Sequence, residues 1–591
     1  MAKDPTSKLR MAHQVHTKAY KAKTQVFGKK YKFGVQVPAN VKQALQLDKE
    51  NGNTFWEDAI KKEMDCLNKY NTFKLADFTV ESPPEGYTKL PHHIVFDVKF
   101  DLRRRARLVG GGNHTQLEKE ETYSGVVGTD TVRWAMFIGE MNGLSCCAGD
   151  IGSAYLHSIT RERIFIVAGP EFGELEGRCF IIYKALYGLR TSAARWHEHL
   201  SKKLRELGFR PSKADSNLWI KDMGDHYEMI ATFVDDILIW SRKPMKVIEQ
   251  LKEHYELKGV GVPEYYLGGN VEQLDEHWNK QGITLGFSCK TYVANIIPKF
   301  ESLYNQELKK IKTPMCETYH PETDDSPELS PDEASKYRSI IGSLNWIITL
   351  GRFDVHYATS VLSRFGMCPR EGHRKAALRV LSYLKTFPNG KIVFDTHPLP
   401  AEPNTGEEYN WDEFYPDACE EIPHDMPSPK CRPVHISAYV DADHAHDLVT
   451  RRSVTGVLIY LNNTPIRSIC KRQTTVETST YGAELVATKM AVEAIMEIRY
   501  QLRMVGVPIE GPAIVYGDNM SVVLSTSVPS SVLKKKMLAL CYHRVREAIA
   551  AKIIVYKHIR SEQNKADILT KPLGGLSFHN LVKDIVFRNP H

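Results

Sequence analysis

Hydrophobic and polar positions change rhythm several times along the chain. Trp56, Ile60, Met64 and Leu67 recur at helical spacing, with Asn71 as the stop signal. Ile94, Phe96, Val98 and Phe100 then alternate as a half-buried strand, and a second short strand follows the basic run Arg103-Arg104-Arg105. Residues 131–142 predict a helix closed by Gly143, which delivers an apolar run into Asp150. Short strands are predicted at 164–167 and 180–183, then a helix with Trp196, Leu200, Leu204 and Leu207 on one face. At the centre, Met229, Ile230, Ala231, Phe233 and Val234 lead into Asp235-Asp236, and Ile237, Leu238, Ile239 and Trp240 lead out. That pattern predicts a buried hairpin with two acids at its turn. A helix over 245–257 and a strand-like segment from Tyr265 come next, so a mixed sheet flanked by helices is expected.

Residues 317–333 are acidic and proline-containing and read as a linker; 335–386 read as helical, and 397–430 as a second acidic, proline-rich linker. Beyond Arg432, Ile436, Ala438 and Val440 alternate into Asp441, and strands are predicted at 455–461 and 465–471. A long helix over 479–504 carries Glu484 near its start, a strand ends in Asp518, and a last strand precedes His558 and Asp567. Three strands, a helix, a strand, helices, a strand and a helix, with acids at four separated places, resemble an RNase H-like domain.

At 591 residues the chain exceeds one core, and about three to five units are expected. Uninterrupted apolar runs of membrane-spanning length and a secretory signal are both missing from the sequence, so the expectation is a soluble intracellular protein without a membrane partner. The 11 cysteines are scattered without a Cys-x-x-Cys pair, which predicts free thiols and no zinc knuckle. Net charge is only +7, but residues 1–34 hold nine Lys/Arg against one acid. That tail either attracts phosphate backbones or is a solvated arm left from a longer polyprotein.

Two adjacent carboxylates between buried strands repel each other, and a divalent cation is the usual compensation, although Asp is also a common turn former. If Asp150 ends a neighbouring strand, three carboxylates converge, enough for two Mg²⁺ ions roughly 3.5–4 Å apart. Each acid of the second set, Asp441, Glu484, Asp518 and Asp567, is ordinary alone as a cap or turn; together they suit metal-activated hydrolysis of a phosphodiester. The basic tip at 103–105 is either a grip for phosphates or a solvated turn. Gly110-Gly111-Gly112 is either a phosphate cradle or, preferably, a flexible joint.

The stretch Phe233-Val234-Asp235-Asp236 resembles the Tyr-Val-Asp-Asp box of reverse transcriptases. Landmarks occur in order on both sides: Arg105-Ala106-Arg107-Leu108-Val109, the run from Asp150 to Leu156, Leu186-Tyr187-Gly188-Leu189, and the run from Tyr337 to Leu344. Asp441-Ala442-Asp443, the run from Arg451 to Gly456, Gly517-Asp518-Asn519 and the run from Ala566 to Leu573 follow. Over roughly residues 53–575 the chain therefore resembles the reverse transcriptase–RNase H part of a copia-type long-terminal-repeat retrotransposon polyprotein.

The resemblance implies an α+β and α/β multidomain architecture, a right-hand polymerase followed by an RNase H-like α/β domain. Residues 1–35 would be a tail, 36–274 fingers and palm, 275–396 thumb and connection, 397–431 a linker, 432–577 RNase H, and 578–591 a C-terminal tail. The implied activity is RNA-directed DNA polymerisation with ribonuclease H cleavage, using two Mg²⁺ per active site, with Mn²⁺ as substitute. The polymerase ligands would be Asp150, Asp235 and Asp236, and the nuclease ligands Asp441, Glu484, Asp518 and Asp567, with His558 as auxiliary. Arg107 (or Arg105), Tyr155, Tyr187 and Gly188 would bind the nucleotide, and Tyr266, Leu267 and Gly268 would support the primer. Expected partners are an RNA template, a DNA primer, their hybrid, deoxynucleoside triphosphates, and the element's integrase and capsid, in a cytoplasmic virus-like particle or the nucleus.

The chain departs from the family at Gly152-Ser153, where Lys-Thr is usual, and at Thr191-Ser192-Ala193, where Gln-Ala-Pro is usual. Gly52 and Gly128 have no assigned role, and the acidic stretch at 397–430 is longer than the family's connection, which would loosen the spacing of the two sites. Protease, integrase and capsid motifs do not occur in it, so a processed fragment or truncated reading frame is expected. The rival reading is an inactive relic that binds nucleic acid or builds a particle. Seven intact acids argue against it, because crowded carboxylates repel phosphate unless metal is present.

Overall fold

The computed structural model describes residues 30–99, 101–114, 122–275, 278, 282–399, 409–533 and 535–588. Most of the basic tail, Phe100 and part of the second acidic stretch lie outside the described residues. Two units are distinguished: 1–125 with 151–207, and 126–150 with 208–591.

In the first unit, helix Val41–Asn51 is capped by the Asn40 side chain and closed by Gly52 in the left-handed region (φ 63°), which gives that glycine its role. Helix Phe55–Lys69 buries Trp56, Ile60, Met64 and Leu67 as the spacing predicts. Its first turn is held by buried Asp48, whose carboxylate accepts from the Trp56 and Glu57 amides at 2.9 and 2.8 Å. The hairpin His92–Val98 with Arg104–Gly110 turns Ala106 and Leu108 inward. At its tip Arg103 pairs with Asp101 and Arg104 stacks on Phe55 and Trp56, so two of the three basic residues are already engaged.

In the second unit a six-stranded sheet runs in the order Arg210–Pro211, Leu218–Asp222, Tyr227–Phe233, Asp236–Ser241, Ser145–Ile151, Leu257–Gly261. Helix Thr129–Met141 packs on it closely at Gly139, where a β-carbon would meet the Trp240 ring at 2.4 Å. The helix expected over 245–257 is shorter, Pro244–Lys252, because Leu257 already belongs to the outer strand. The helical stretch 335–386 is three helices, Pro331–Thr349, His356–Ser363 and Glu371–Thr386.

The first acidic linker reading is corrected by the structure. Pro331, Asp332 and Glu333 form the first turn of a helix capped by Ser330, where proline costs no hydrogen bond and acids complement the dipole. The preceding segment is fastened to the start of helix Glu371–Thr386 through Ser326, and to Arg370 and Pro369 just before it through Glu328 and Leu329.

The C-terminal sheet runs Thr464–Arg472, Val454–Leu461, Ile436–Asp443, Ala513–Gly517, Ile554–His558. Its first three strands are antiparallel and the last two parallel, with helix Thr480–Arg503 packed on the centre: an RNase H-like arrangement within a mixed α/β, multidomain chain. All 11 cysteines are free. Among the described residues no helix is long and apolar enough to cross a membrane.

The second acidic stretch, described from residue 409, is a strap that fastens rather than loosens. Glu420 receives hydrogen bonds from Arg499 at 2.7 Å and from Arg503 at 2.5 Å, on the long helix. The Ser428 carbonyl accepts from Tyr227 at 2.9 Å, and Lys430 reaches Asp222 at 2.5 Å. Burial raises the Glu420 carboxyl, but the hydrogen bonds and charges of the two arginines outweigh it and hold it at about 2, against 4.5 unfolded. Its stabilisation is therefore complete above pH 4.5 and is lost as pH falls toward 2. Glu420→Gln should cost about 1–3 kcal/mol in urea unfolding at pH 7. The gap to wild type should close progressively below pH 4.5.

Candidate active sites

The central hairpin forms as the sequence predicts, with Phe233 opposite Asp236 and the turn made by Val234-Asp235. Val234 sits at φ 57°, a strained position for a β-branched residue and one tolerated where function demands a tight turn. Strand Asp236–Ser241 pairs with Ser145–Ile151 in a register that sets Asp236 directly opposite Asp150. Like charges directly opposite each other on neighbouring strands are destabilising. Burial first, then the charges of Asp235 and Asp150, push the Asp236 carboxyl up to about 6. The hairpin thus concentrates negative charge that a divalent cation would relieve.

Tyr266-Leu267-Gly268 forms a turn near these acids. The Tyr266 hydroxyl is buried, and its ionisation is suppressed by burial and by the charge of Asp236. Leu267 and Gly268 both have positive φ, at 46° and 87°, and a β-carbon on Gly268 would touch Trp346 at 3.0 Å. Gly128, unexplained by sequence, donates its amide to Asp215 at 2.9 Å and opens the helix that leads to the Asp150 strand.

Within the first unit, the four nucleotide-binding candidates come together. The Arg107 guanidinium lies over the Tyr187 ring at 4.2 Å, and Tyr155 packs on Tyr187 with centroids 4.9 Å apart. Gly188 (φ 91°) meets the triple glycine backbone to backbone: a β-carbon there would lie 2.1 Å from the Gly110 carbonyl oxygen. Gly110 donates to Tyr187 O and Gly112 to Gly188 O, so the glycines permit close approach instead of forming a flexible joint. Arg105 stands opposite Asp97 in the hairpin. At the departures from the family, Thr191 donates to Glu162 at 2.5 Å and Ser192 to Leu186 O at 2.6 Å, both structural uses. Ser153, at φ 53°, has its hydroxyl 3.1 Å from the Cys66 sulfur, and the Gly152 carbonyl lies 3.2 Å from His157 Nε2.

In the C-terminal domain, Asp441, Asp518 and Asp567 bring one carboxylate oxygen each within 4.8 Å of the others, the one such metal-ready group among the described residues. Asp150, Asp235 and Asp236 are not drawn together that far. Glu484 reaches the same centre from its helix, accepting from the Ala442 amide at 3.2 Å. Its Oε2 and the Asp567 Oδ1 are buried without a hydrogen-bond partner, as oxygens reserved for a cation would be. Burial and then Asp441 and Asp518 push Glu484 well above its usual range; burial and then Asp441 raise Asp567 to about 8. His558 Nε2 lies 3.1 Å from the Asp518 carbonyl oxygen. Sequence reasoning missed Thr570, which donates to Asp441, and Lys571, 3.1 Å from Asp567 and 3.7 Å from Asp441. Lys571 lies one helical turn past Asp567 in sequence, which was the available signal.

Comparison with known proteins adds to this geometry. Residues 70–317 match the family described as reverse transcriptase (RNA-dependent DNA polymerase). The retrovirus-related Pol polyprotein from transposon RE1 of Arabidopsis thaliana is 25% identical over 548 residues, 90% of this chain and 34% of that protein. A Ty5-1 transposon protein of Saccharomyces cerevisiae is 31% identical over 242 residues, 40% of this chain and 75% of its own length. The chain thus spans about a third of the Arabidopsis polyprotein it matches. A solved foamy viral protease–reverse transcriptase in complex with RNA/DNA hybrid is 13% identical at a TM-score of 0.41, covering 86% of this chain and 54% of that one.

Without metal, the raised Asp236 carboxyl is a stability cost above pH 6 that fades as the group protonates toward 3.8. Asp236→Asn should therefore stabilise the metal-free protein at pH 8 by about 1 kcal/mol, allowing for partial exposure. Thermal unfolding in chelator should show that gain at pH 8 and little of it near pH 4.

Proposed function

Because this chain belongs to the reverse transcriptase family of copia/Ty1-type retrotransposon polyproteins, we propose that it copies RNA into DNA and hydrolyses the RNA of the resulting hybrid. The observation that carries this reading is the strand register that sets Asp236 against Asp150, beside Asp235, in a chain that also holds a second, separate acid cluster. A binding protein gains nothing from two such concentrations of negative charge.

Asp150, Asp235 and Asp236 would hold one pair of Mg²⁺ ions, and Asp441, Glu484, Asp518 and Asp567 the other. Bound there, divalent cations, Mg²⁺ or Mn²⁺ in its place, supply charge that activates the attacking oxygen and steadies the leaving group. In polymerisation, the primer 3′-oxygen attacks the α-phosphate of a deoxynucleoside triphosphate as pyrophosphate departs. Tyr266, Leu267 and Gly268 position the primer end, and most of the rate comes from such positioning and from fixed charge. Arg107, braced by Tyr187, takes the role of phosphate ligand. Tyr155 excludes a 2′-hydroxyl, the group that distinguishes the two sugars. In hydrolysis, Thr570 and Lys571 orient Asp441 and Asp567, and His558, 3.1 Å from the Asp518 carbonyl oxygen, serves as the auxiliary. Substrate grip on phosphates makes binding salt-sensitive and sequence-tolerant.

Deoxynucleotide incorporation on primed poly(rA), together with hydrolysis of labelled RNA in a preformed hybrid, tests the reading. Asp236→Asn should lower incorporation by about 10²-fold or more while sparing hydrolysis, and Asp441→Asn should do the converse. Absence of both activities in wild type, with primer–template binding intact, would replace this reading with that of an inactive binding relic.

A further inference from the structure

Arg133 takes part in neither acid cluster, yet it is among the most deeply buried charges in the chain, with 2% of its side chain exposed. It lies on helix Thr129–Met141, which leads into the Asp150 strand. Its guanidinium donates to Asp130 at 3.1 Å, to the Thr349 carbonyl at 2.5 Å and to the Ile466 carbonyl at 2.5 Å. Thr349 is the last residue of helix Pro331–Thr349, and Ile466 lies on the outer strand of the C-terminal sheet. Both carbonyls are of the kind that secondary structure leaves unpaired, at a helix C-terminus and along a sheet edge. One cation therefore satisfies orphan acceptors from two elements and ties them to a third. Arg467 extends the junction, donating to Asp130 at 3.1 Å and to Glu497, on the long C-terminal helix, at 2.8 Å.

The same helix serves the polymerase side. Val132 and Met136 line a small cavity with Tyr266 and Leu267 of the primer-support turn. The Val127 amide, just before the helix, donates to Thr232 in the catalytic hairpin at 3.1 Å. The strap through Glu420 and Ser428 provides a separate attachment between the palm strands and the C-terminal domain. Arg133 shares the fixing of orientation with further ties, Ser212 donating to Met504 O at 3.2 Å and the Arg432 amide to Asn142 at 2.8 Å.

We propose that Arg133 is a positioning residue that fixes the spacing between the polymerase and nuclease centres, so that RNA is cut at a set distance behind the primer terminus. The cutting distance rests on the proposed function; the mechanical role of Arg133 does not.

The test compares wild type with Arg133→Lys, Arg133→Met and Arg467→Gln, each checked for folding by thermal melting. Genetically encoded probes at the exposed Met223 and Leu540 report the palm-to-nuclease distance distribution. A labelled RNA template reports where cuts fall relative to the primer end. In the variants, both the distance distribution and the spread of cut positions should widen about twofold, while incorporation and hydrolysis measured on separate substrates stay near wild type. If Arg133→Met fails to fold, the other two variants carry the test. Unchanged distance and cut distributions in folded Arg133→Lys and Arg467→Gln would overturn the proposal. Widened distances in a chain that neither polymerises nor cuts would sustain the positioning role and sink the proposed function.

Discussion

Carboxylates crowded at the ends of buried strands repel one another, and much of this chain holds them there regardless. In the six-stranded sheet the repulsion is fixed by backbone pairing: Asp236 cannot leave Asp150 without breaking the register of two central strands. In the C-terminal domain the geometry is tighter, with Asp441, Asp518 and Asp567 converging and Glu484 entering from a helix. Hydrogen bonding and charge from Thr570 and Lys571 answer part of that repulsion. The rest is stored as raised carboxyl pKa values, and a dication would relieve it.

Rigid support is what makes such strain tolerable. Gly139 lets helix Thr129–Met141 settle on Trp240 behind the hairpin, and Gly268 lets the Tyr266–Gly268 turn settle on Trp346. Elsewhere, a buried Arg352–Asp354 pair with both bidentate contacts at 2.8–2.9 Å, joined by the Tyr383 hydroxyl, locks the helices after Thr349. Breaking such a pair from one side leaves an uncompensated buried charge, so it specifies this packing strongly. The strap at 409–431 adds a further tie, with Glu420 holding it to the long C-terminal helix.

Several readings of the sequence failed for one reason. Proline and acid content marked 317–333 as a linker, yet Pro331 and its neighbours start a helix, where the same residues are favoured. Composition does not distinguish an extended tether from a segment whose partners lie far along the chain, such as Glu420 with Arg499. The triple glycine likewise read as a joint, and only its backbone contact with Gly188 shows that small size, not flexibility, is the requirement. Lys571 carried a weak local signal through its spacing from Asp567, while Arg133 carried none, because its partners at Thr349 and Ile466 are backbone carbonyls with no side-chain signature.

The sequence by itself determined the order of the elements, the hairpin with its paired acids, the alternation into Asp441 and the long helix bearing Glu484. Hydrophobic periodicity and turn chemistry are local, and they act over a few residues. The tertiary structure alone decided which strands became neighbours, and so which acids face one another, how far each carboxyl is raised, and which carbonyls Arg133 ties together. Those outcomes depend on burial and on contacts between residues hundreds of positions apart, and no window of sequence contains them.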